Sequence, residues 1–253
     1  MRVFKWLERL SLDAVLVAVV WGLALGGKGM GLIVLGLATW LTYVADRLWE
    51  VRPGKPVPQT DRHSYYKSNY TVFRTVWLVC MIVAVVLAYA VLPGWQFLGG
   101  WGLVVVIFAY LSGLSVVADP SRRLLMKRII VPVVFTIGVV WMAQSWRSLE
   151  TVAGSVVLLS AAMANLFLIS YQENYDKLLP AWFGKVVGCN VLSVVLVANV
   201  ALFAYWPAGV AGLFCAIAYF VLLVRIKTRT ALNIRAWVDS MLAVAGLVLW
   251  SLS

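Results

Sequence analysis

The sequence predicts an all-α, polytopic membrane protein with nine transmembrane helices. Of its 253 residues, 63% are hydrophobic and only 12% are charged, whereas soluble domains carry about 25% charged residues. The apolar runs are close to the roughly 20 residues that a helix needs to cross the hydrocarbon core, and they lack the alternation of membrane strands. The predicted spans are 12–27, 30–49, 71–92, 95–117, 129–145, 152–172, 183–205, 208–226 and 232–252. No linker divides the chain, so residues 1–253 are expected to form a single membrane domain.

The basic residues predict the orientation of these spans. With nine spans, all but Lys28 and Arg147 of the 21 Lys and Arg residues fall on the side that holds the N-terminus. Because cytoplasmic loops are enriched in Lys and Arg, we expect a cytoplasmic N-terminus and an external C-terminus. The net charge of +11 is therefore a topological signal, and we predict no nucleic-acid partner. The longer, polar connections are also cytoplasmic, which predicts the functional site at that face.

A charged cluster lies at the end of the second predicted span. Asp46 and Glu50 are four residues apart and so share a helix face, with Arg47 beside them. Charged side chains at such a position are costly to retain in a membrane protein. This cluster is therefore the first candidate for a functional site.

A second acidic pair, Glu173 and Asp176, ends the sixth predicted span at the same predicted face. Oxygen ligands from such pairs suit Mg²⁺, which is often bound jointly by carboxylates and phosphate groups. Two acidic pairs with several Lys and Arg residues therefore predict a Mg²⁺–diphosphate site. The alternative is that Asp46, Arg47 and Glu50 form only a local ion-pair cluster.

The first acidic stretch resembles a motif of the UbiA superfamily of intramembrane prenyltransferases, which have nine helices and acidic motifs ending helices 2 and 6. The family motif is N-D-x-x-D-x-x-x-D, and this chain has T-Y-V-A-D-R-L-W-E. Thr42 replaces the Asn and Tyr43 the first Asp. Asp46 matches the second Asp, Arg47 the Arg that often follows it, and Glu50 replaces the last Asp.

The second family motif, D-x-x-x-D in its short form, is matched in part. The stretch Q-E-N-Y-D supplies Gln172 and Asp176 at that spacing, with Glu173 one residue away. The family also has a Lys for the diphosphate in the loop between helices 4 and 5, and Lys127 in SRRLLMKR is the candidate counterpart. The motif 42–50 and the motif 172–176 both depart from the family pattern, since Thr42, Tyr43 and Gln172 bring no carboxylate.

The resemblance implies an enzyme that transfers a prenyl group from a polyprenyl diphosphate to an aromatic or lipid acceptor, with membrane lipids around it and Mg²⁺ as cofactor. The implied catalytic residues are Asp46, Glu50 and Asp176, and the implied metal ligands are Asp46, Glu50, Glu173 and Asp176. The implied substrate-binding residues are Thr42, Tyr43, Arg47, Arg62, Lys127 and Gln172. Two alternatives remain open: a membrane terpene cyclase that needs no acceptor, and a non-catalytic relative that binds isoprenoid lipid.

Other polar or aromatic residues have simpler interpretations. His63, the only histidine, is expected to be a solvated or hydrogen-bonding loop residue. Asp239 is expected to pair with Arg235 four residues earlier, and Asn165 to form an interhelical hydrogen bond. Deep tryptophans could stabilise a carbocation, although packing is the simpler role for Trp40, Trp77 and Trp141.

Overall fold

The computed structural model describes residue 6 and residues 9–53, 61–117, 119–143, 148–172, 183–227 and 234–252. Throughout these residues the regular secondary structure is helical, with no strand. The prediction of an all-α protein is therefore confirmed for the described part of the chain.

The described residues include nine helices of 13 to 24 residues, called the long helices here, and one short helix of eight residues. They are α1 (Leu12–Ala24), α2 (Met30–Glu50), α3 (Asp61–Ser68), α4 (Tyr70–Val91), α5 (Gly94–Val116), α6 (Pro120–Trp141), α7 (Leu149–Gln172), α8 (Phe183–Ala204), α9 (Trp206–Lys227) and α10 (Ile234–Leu252). Each predicted span overlaps one long helix. Four segments are long and apolar enough to cross a membrane by length and composition: Met30–Glu50, Tyr70–Val91, Gly94–Leu114 and Leu149–Ile169.

The long helices form a closed bundle. Along the chain, each long helix contacts the next long helix, and α10 packs against α1. Trp21 of α1 is fully buried, and its Nε1 donates a hydrogen bond to the Leu242 carbonyl of α10 at 2.8 Å. This contact ties together the two helices that close the bundle. In contrast, α4 and α5 leave most of their apolar side chains exposed, as expected for helices that face lipid.

The segment around Lys127 is helical, which differs from the expected loop. Helix α6 begins at Pro120 rather than at 129, so SRRLLMKR forms its first turns. Proline suits the first position of a helix because its missing N–H would have no intrahelical partner there. Lys127 therefore projects from a helix, whose geometry fixes its direction toward α2.

The stretch around His63 is also helical rather than a loop. Short helix α3 packs between α2 and α4 through an apolar cluster. The buried members of this cluster are Val44, Leu48, Val51, Tyr66 and Phe73. Tyr66 is fully buried, and its ring centroid lies 4.3 Å from that of Phe73. This packing holds α3 against the end of α2, where the first acidic motif lies.

Candidate functional site

The candidate site is built on the last two turns of α2. Asp46 and Arg47 lie in one turn and Glu50 in the next, and the helix ends after Glu50 with the Val51 N–H donating to the Arg47 carbonyl at 3.0 Å. The Asp46 and Glu50 side chains are only 22% and 24% exposed. Two carboxylates this close and this shielded need cationic or hydrogen-bonding partners.

Lys127 of α6 is the partner that Asp46 and Glu50 share. Its Nζ donates to Asp46 Oδ1 at 2.8 Å, to Asp46 Oδ2 at 3.0 Å and to Glu50 Oε1 at 2.6 Å. The three donor hydrogens of an ammonium group match these three acceptors. Of the predicted site residues, Lys127, Asp46 and Glu50 are therefore brought together.

The other oxygen of Glu50 is held by two further residues. Arg47 Nη1 donates to Glu50 Oε2 at 2.7 Å, and His63 Nε2 lies 2.7 Å from the same oxygen. An ionised carboxylate only accepts hydrogen bonds, so Nε2 of His63 carries the hydrogen in this contact. The 3.3 Å approach of Arg47 Nη1 to His63 Nε2 is then a contact between two donors.

His63 was expected to be a solvated or hydrogen-bonding loop residue, and it forms a hydrogen bond but is neither solvated nor in a loop. Its exposed fraction is 4%, and α3 holds it against the carboxylate of Glu50. A single histidine in a polar stretch does not by itself indicate burial. The indication that the sequence did contain is the aromatic pair Tyr65 and Tyr66 beside His63, which anchors α3 to α2 and α4.

Tyr110 of α5 lies beside the site, and no sequence pattern singled it out. Its hydroxyl lies within electrostatic range of Asp46, Glu50 and Tyr43. That hydroxyl is buried and has no hydrogen-bond partner among the described residues. It is therefore a donor available to a ligand that enters beside the two carboxylates.

Thr42 and Tyr43 stand where the family motif has Asn and Asp. Their side chains face different surroundings. The Thr42 hydroxyl donates to the Ala38 carbonyl of its own helix at 2.8 Å. Tyr43 instead lines a narrow cleft between α1, α2, α6, α7 and α10, together with Asn165 and Ile169 of α7. Tyr43, unlike Thr42, therefore faces the interior of the bundle.

Helix α6 connects the first acidic motif to the helix that carries the second. Lys127 contacts α2, whereas the next residue, Arg128, is 7% exposed and donates from Nε to the Leu166 carbonyl of α7 at 3.3 Å. Leu166 lies six residues before Gln172, which corresponds to about 9 Å along the helix axis. The end of α7 therefore lies on the same side of the bundle as the end of α2.

Several predicted site residues lie outside what the structure describes. They are Glu173, Asp176 and the side chains of Gln172 and Arg62. Within the described ranges, no group of three or more His, Cys, Asp or Glu residues could hold a metal ion. The described part of the site therefore contributes two carboxylates, Asp46 and Glu50.

Asp239 has a partner that sequence reasoning did not choose. Its Oδ1 accepts a hydrogen bond from Asn165 Nδ2 of α7 at 2.8 Å. The side chain of Arg235, the expected partner, is outside the described part of the chain. The prediction of an interhelical hydrogen bond by Asn165 is confirmed.

The three deep tryptophans hold helices together through their indole N–H groups. Each Nε1 donates to a backbone carbonyl: Trp40 to Leu10, Trp77 to Leu41 and Trp141 to Gln96, at 3.0, 2.8 and 3.0 Å. Gln96 returns a hydrogen bond to the Trp141 carbonyl at 3.1 Å, which joins α5 to α6. These contacts agree with the packing interpretation.

No family model, curated protein or solved structure matches this chain. The resemblance to the UbiA superfamily therefore stays a proposal, supported by the residues described above.

Proposed function

We propose that this chain is a UbiA-like membrane prenyltransferase, with nine transmembrane helices and its site at the cytoplasmic face. In this proposal, a polyprenyl diphosphate places its tail in the bundle and its head beside Asp46, Glu50 and Lys127. The observation that carries the proposal is that Asp46 and Glu50 converge on one cation, the ammonium group of Lys127, at the end of α2.

The donor set fits a Mg²⁺ ion held jointly with a diphosphate. One oxygen of Asp46 and one of Glu50 lie 2.8 and 2.6 Å from the same Lys127 Nζ, so both carboxylates reach a single cation. Mg²⁺ is commonly bound by one or two carboxylates plus substrate phosphates. Asp46 and Glu50 would hold the ion, and Glu173 and Asp176 are proposed as further ligands. The ion, when bound, would neutralise charge on the departing diphosphate.

The remaining polar side chains have roles that follow from their positions. Lys127 would turn from the carboxylates to a phosphate oxygen, and Arg47 and Arg62 would bind the other phosphate oxygens. The buried Tyr110 hydroxyl can donate to the leaving group beside them. The apolar helices would keep water away from the allylic cation, so that the acceptor rather than water captures it.

The second motif enters this proposal through α7. Tyr43 and Ile169 line the same cleft, and Gln172 follows Ile169 by three residues, about 4.5 Å along the helix axis. A short distance between Asp46 and Asp176, on the order of 10 Å between carboxylates, is required if both motifs bind one diphosphate through Mg²⁺.

A non-catalytic, lipid-binding relative is the second candidate, and one observation favours it. Asp46 and Glu50 together carry two negative charges, and Arg47 and Lys127 balance them within hydrogen-bonding distance. A balanced cluster of this kind can hold helices together with no ligand. A membrane terpene cyclase is a third candidate, in which the cation is captured within the same molecule.

Release of pyrophosphate decides between these candidates. The purified chain is incubated with a series of prenyl diphosphates, with and without Mg²⁺ and acceptor. We expect Mg²⁺-dependent release, and we expect Asp46→Asn and Asp176→Asn each to lower it by about 100-fold or more. Asp119→Asn is the matched control, because Asp119 pairs with exposed Arg122 at the start of α6.

Each alternative has its own result in this experiment. Release that needs no acceptor, with a cyclic hydrocarbon or alcohol as product, indicates the cyclase. Binding of the diphosphate with no release under any condition indicates the lipid-binding relative. Full activity in both Asp46→Asn and Asp176→Asn would show that the acidic pairs are structural clusters and that the proposed mechanism is wrong.

A further inference from the structure

An exposed cationic stripe, formed by Lys67, Thr71 and Arg74, lies at the junction of α3 and α4. Lys67 is in the last turn of α3, and Thr71 and Arg74 are in the first two turns of α4. Asn69 alone separates the two helices, and its N–H and carbonyl both form helix-type hydrogen bonds, at 3.2 and 3.0 Å. Spacings of four and three residues place the stripe on one side of the junction. All three of its side chains are exposed.

The two cations of the stripe have no carboxylate partner. Lys67 and Arg74 form no ion pair with any residue that the structure describes. In contrast, Arg47 and Lys127 of the candidate site are both paired with carboxylates. Two exposed positive charges without local compensation create a positive potential that attracts anions. The stripe is therefore a surface suited to an anionic group.

An exposed apolar surface continues directly from the stripe along α4. Leu78 and Ile82 follow Arg74 at intervals of four residues, and they are 42% and 61% exposed. They lie about 6 and 12 Å beyond Arg74 along the helix axis. One leaflet of the hydrocarbon core is about 15 Å thick. The surface therefore offers cations to a head group and, on the same side, an apolar path about one leaflet long to an acyl chain.

Aromatic side chains beside α3 indicate the level at which the stripe would meet the membrane. The Arg9 guanidinium carbon lies 5.7 Å from the ring centroid of Trp6 and 5.8 Å from that of Tyr65 on α3. Half of the Trp6 side chain is exposed. Trp and Tyr are enriched where lipid head groups meet water. Helix α3 is therefore expected to lie at head-group level, with Lys67 in reach of lipid phosphates.

We propose that the stripe binds an anionic phospholipid, with Lys67 and Arg74 on its phosphate and one acyl chain along Leu78 and Ile82. A zwitterionic phospholipid fits less well, because its own ammonium group offsets the phosphate charge. An arginine can also bind two phosphate oxygens at once, which favours this head group over a carboxylate-free lipid. The site goes beyond the proposed prenyl transfer and does not depend on it, because the stripe includes no residue of the Asp46–Glu50–Lys127 cluster.

The test compares two head groups on the same acyl chains. The full chain in detergent is mixed with phosphatidylglycerol or phosphatidylcholine, without prenyl diphosphate or Mg²⁺, and bound lipids are counted by native mass spectrometry over a range of lipid concentrations. We expect a tight site for one phosphatidylglycerol, bound at least about tenfold more tightly than phosphatidylcholine. Each basic residue near an anionic head group contributes about a fivefold factor, and the stripe has two.

Substitutions locate the binding. Lys67→Gln and Arg74→Gln should each weaken phosphatidylglycerol binding about fivefold, and the double variant about 25-fold. Exchanging the two residues, as Lys67→Arg with Arg74→Lys, retains both charges and should retain the preference for phosphatidylglycerol. Arg122→Gln is the matched control, because Arg122 is also exposed but pairs with Asp119 at 3.6 Å.

The outcomes separate this proposal from the proposed function. A preference for phosphatidylglycerol that is lost in the double Gln variant but kept in Arg122→Gln supports the site whether or not the chain releases pyrophosphate. Equal binding of the two lipids, or a preference unchanged in the double Gln variant, overturns the proposal. Displacement of the lipid by an equal concentration of inorganic pyrophosphate also overturns it, because the cations would then bind free phosphate groups. The single variants decide the case if the double variant fails to fold.

Discussion

Lys127 Nζ donates to both carboxylate oxygens of Asp46, at 2.8 and 3.0 Å, across 81 positions of the chain. The contact joins α6 to α2 and places the only lysine of the described site between two carboxylates. The Lys127 side chain is therefore expected to matter for stability and, in the proposed function, also for diphosphate binding.

Removal of this lysine is expected to destabilise the protein. Lys127→Met leaves Asp46 and Glu50 close together without their shared cation, so we expect a loss of about 1–3 kcal/mol in the free energy of unfolding. Adding Asp46→Asn should restore part of the loss, with a coupling energy of about 0.5–3 kcal/mol in a double-mutant cycle. Unfolding in detergent measures these values. Arg122→Met, in an exposed pair, should cost under about 1 kcal/mol. Strict additivity would contradict this interpretation of the contact.

Glu50 is expected to matter for stability at least as much as Asp46. Glu50 lies nearer the end of α2 than Asp46, yet the two side chains are almost equally exposed. Lys127, Arg47 and His63 all direct donors at Glu50. Glu50→Gln would point an amide N–H at one of these donors and cost about 1–3 kcal/mol. Glu150→Gln, at an exposed position, is the control. This prediction would be refuted if Glu50→Gln left the free energy of unfolding unchanged while Asp46→Asn lowered it.

A pair of adjacent glycines tests the junction of α5 and α6. A Cβ added at Gly99 would overlap the ring of Trp141, whereas one added at Gly100 meets nothing within 4 Å. We expect Gly99→Ala to destabilise the protein by about 1–3 kcal/mol through overpacking. Gly100→Ala should be neutral or stabilise it by up to about 1 kcal/mol, the helix preference of Ala over Gly. Thermal unfolding of the two variants side by side measures the difference. Equal effects at both positions would contradict the close packing of Gly99 in α5 against Trp141 in α6.

The nine-span topology is tested by labelling of introduced cysteines. After Cys80, Cys189 and Cys215 are replaced by Ser or Ala, single cysteines are placed at Lys55, Arg123 and Lys227. An impermeant thiol reagent should label all three from the cytoplasmic side, because the basic connections are expected there. A cysteine at Gly94 should be labelled only from outside. Labelling of Lys55 and Arg123 from opposite sides would exclude the nine-span arrangement.

The sequence by itself determined the class of the fold. It also indicated the end of α2 as the position of the candidate site. Its apolar runs predicted nine transmembrane helices, and each run overlaps a helix of the structure, because run length and composition are local properties of the chain. Four helical segments of the described residues are long and apolar enough to cross a membrane. The spacing of Asp46 and Glu50 placed both on one helix face for the same reason.

Only the tertiary structure decided which partners these residues have. Lys127 reaches Asp46 because α6 begins at Pro120 and packs against α2, which no local pattern encodes. His63 is buried because α3 packs through Tyr66 and Phe73, and Asp239 bonds to Asn165 across two helices. Contacts between residues far apart in the chain depend on how whole helices pack together. A local pattern therefore predicts where a helix lies, and the packing of helices determines what its polar side chains contact.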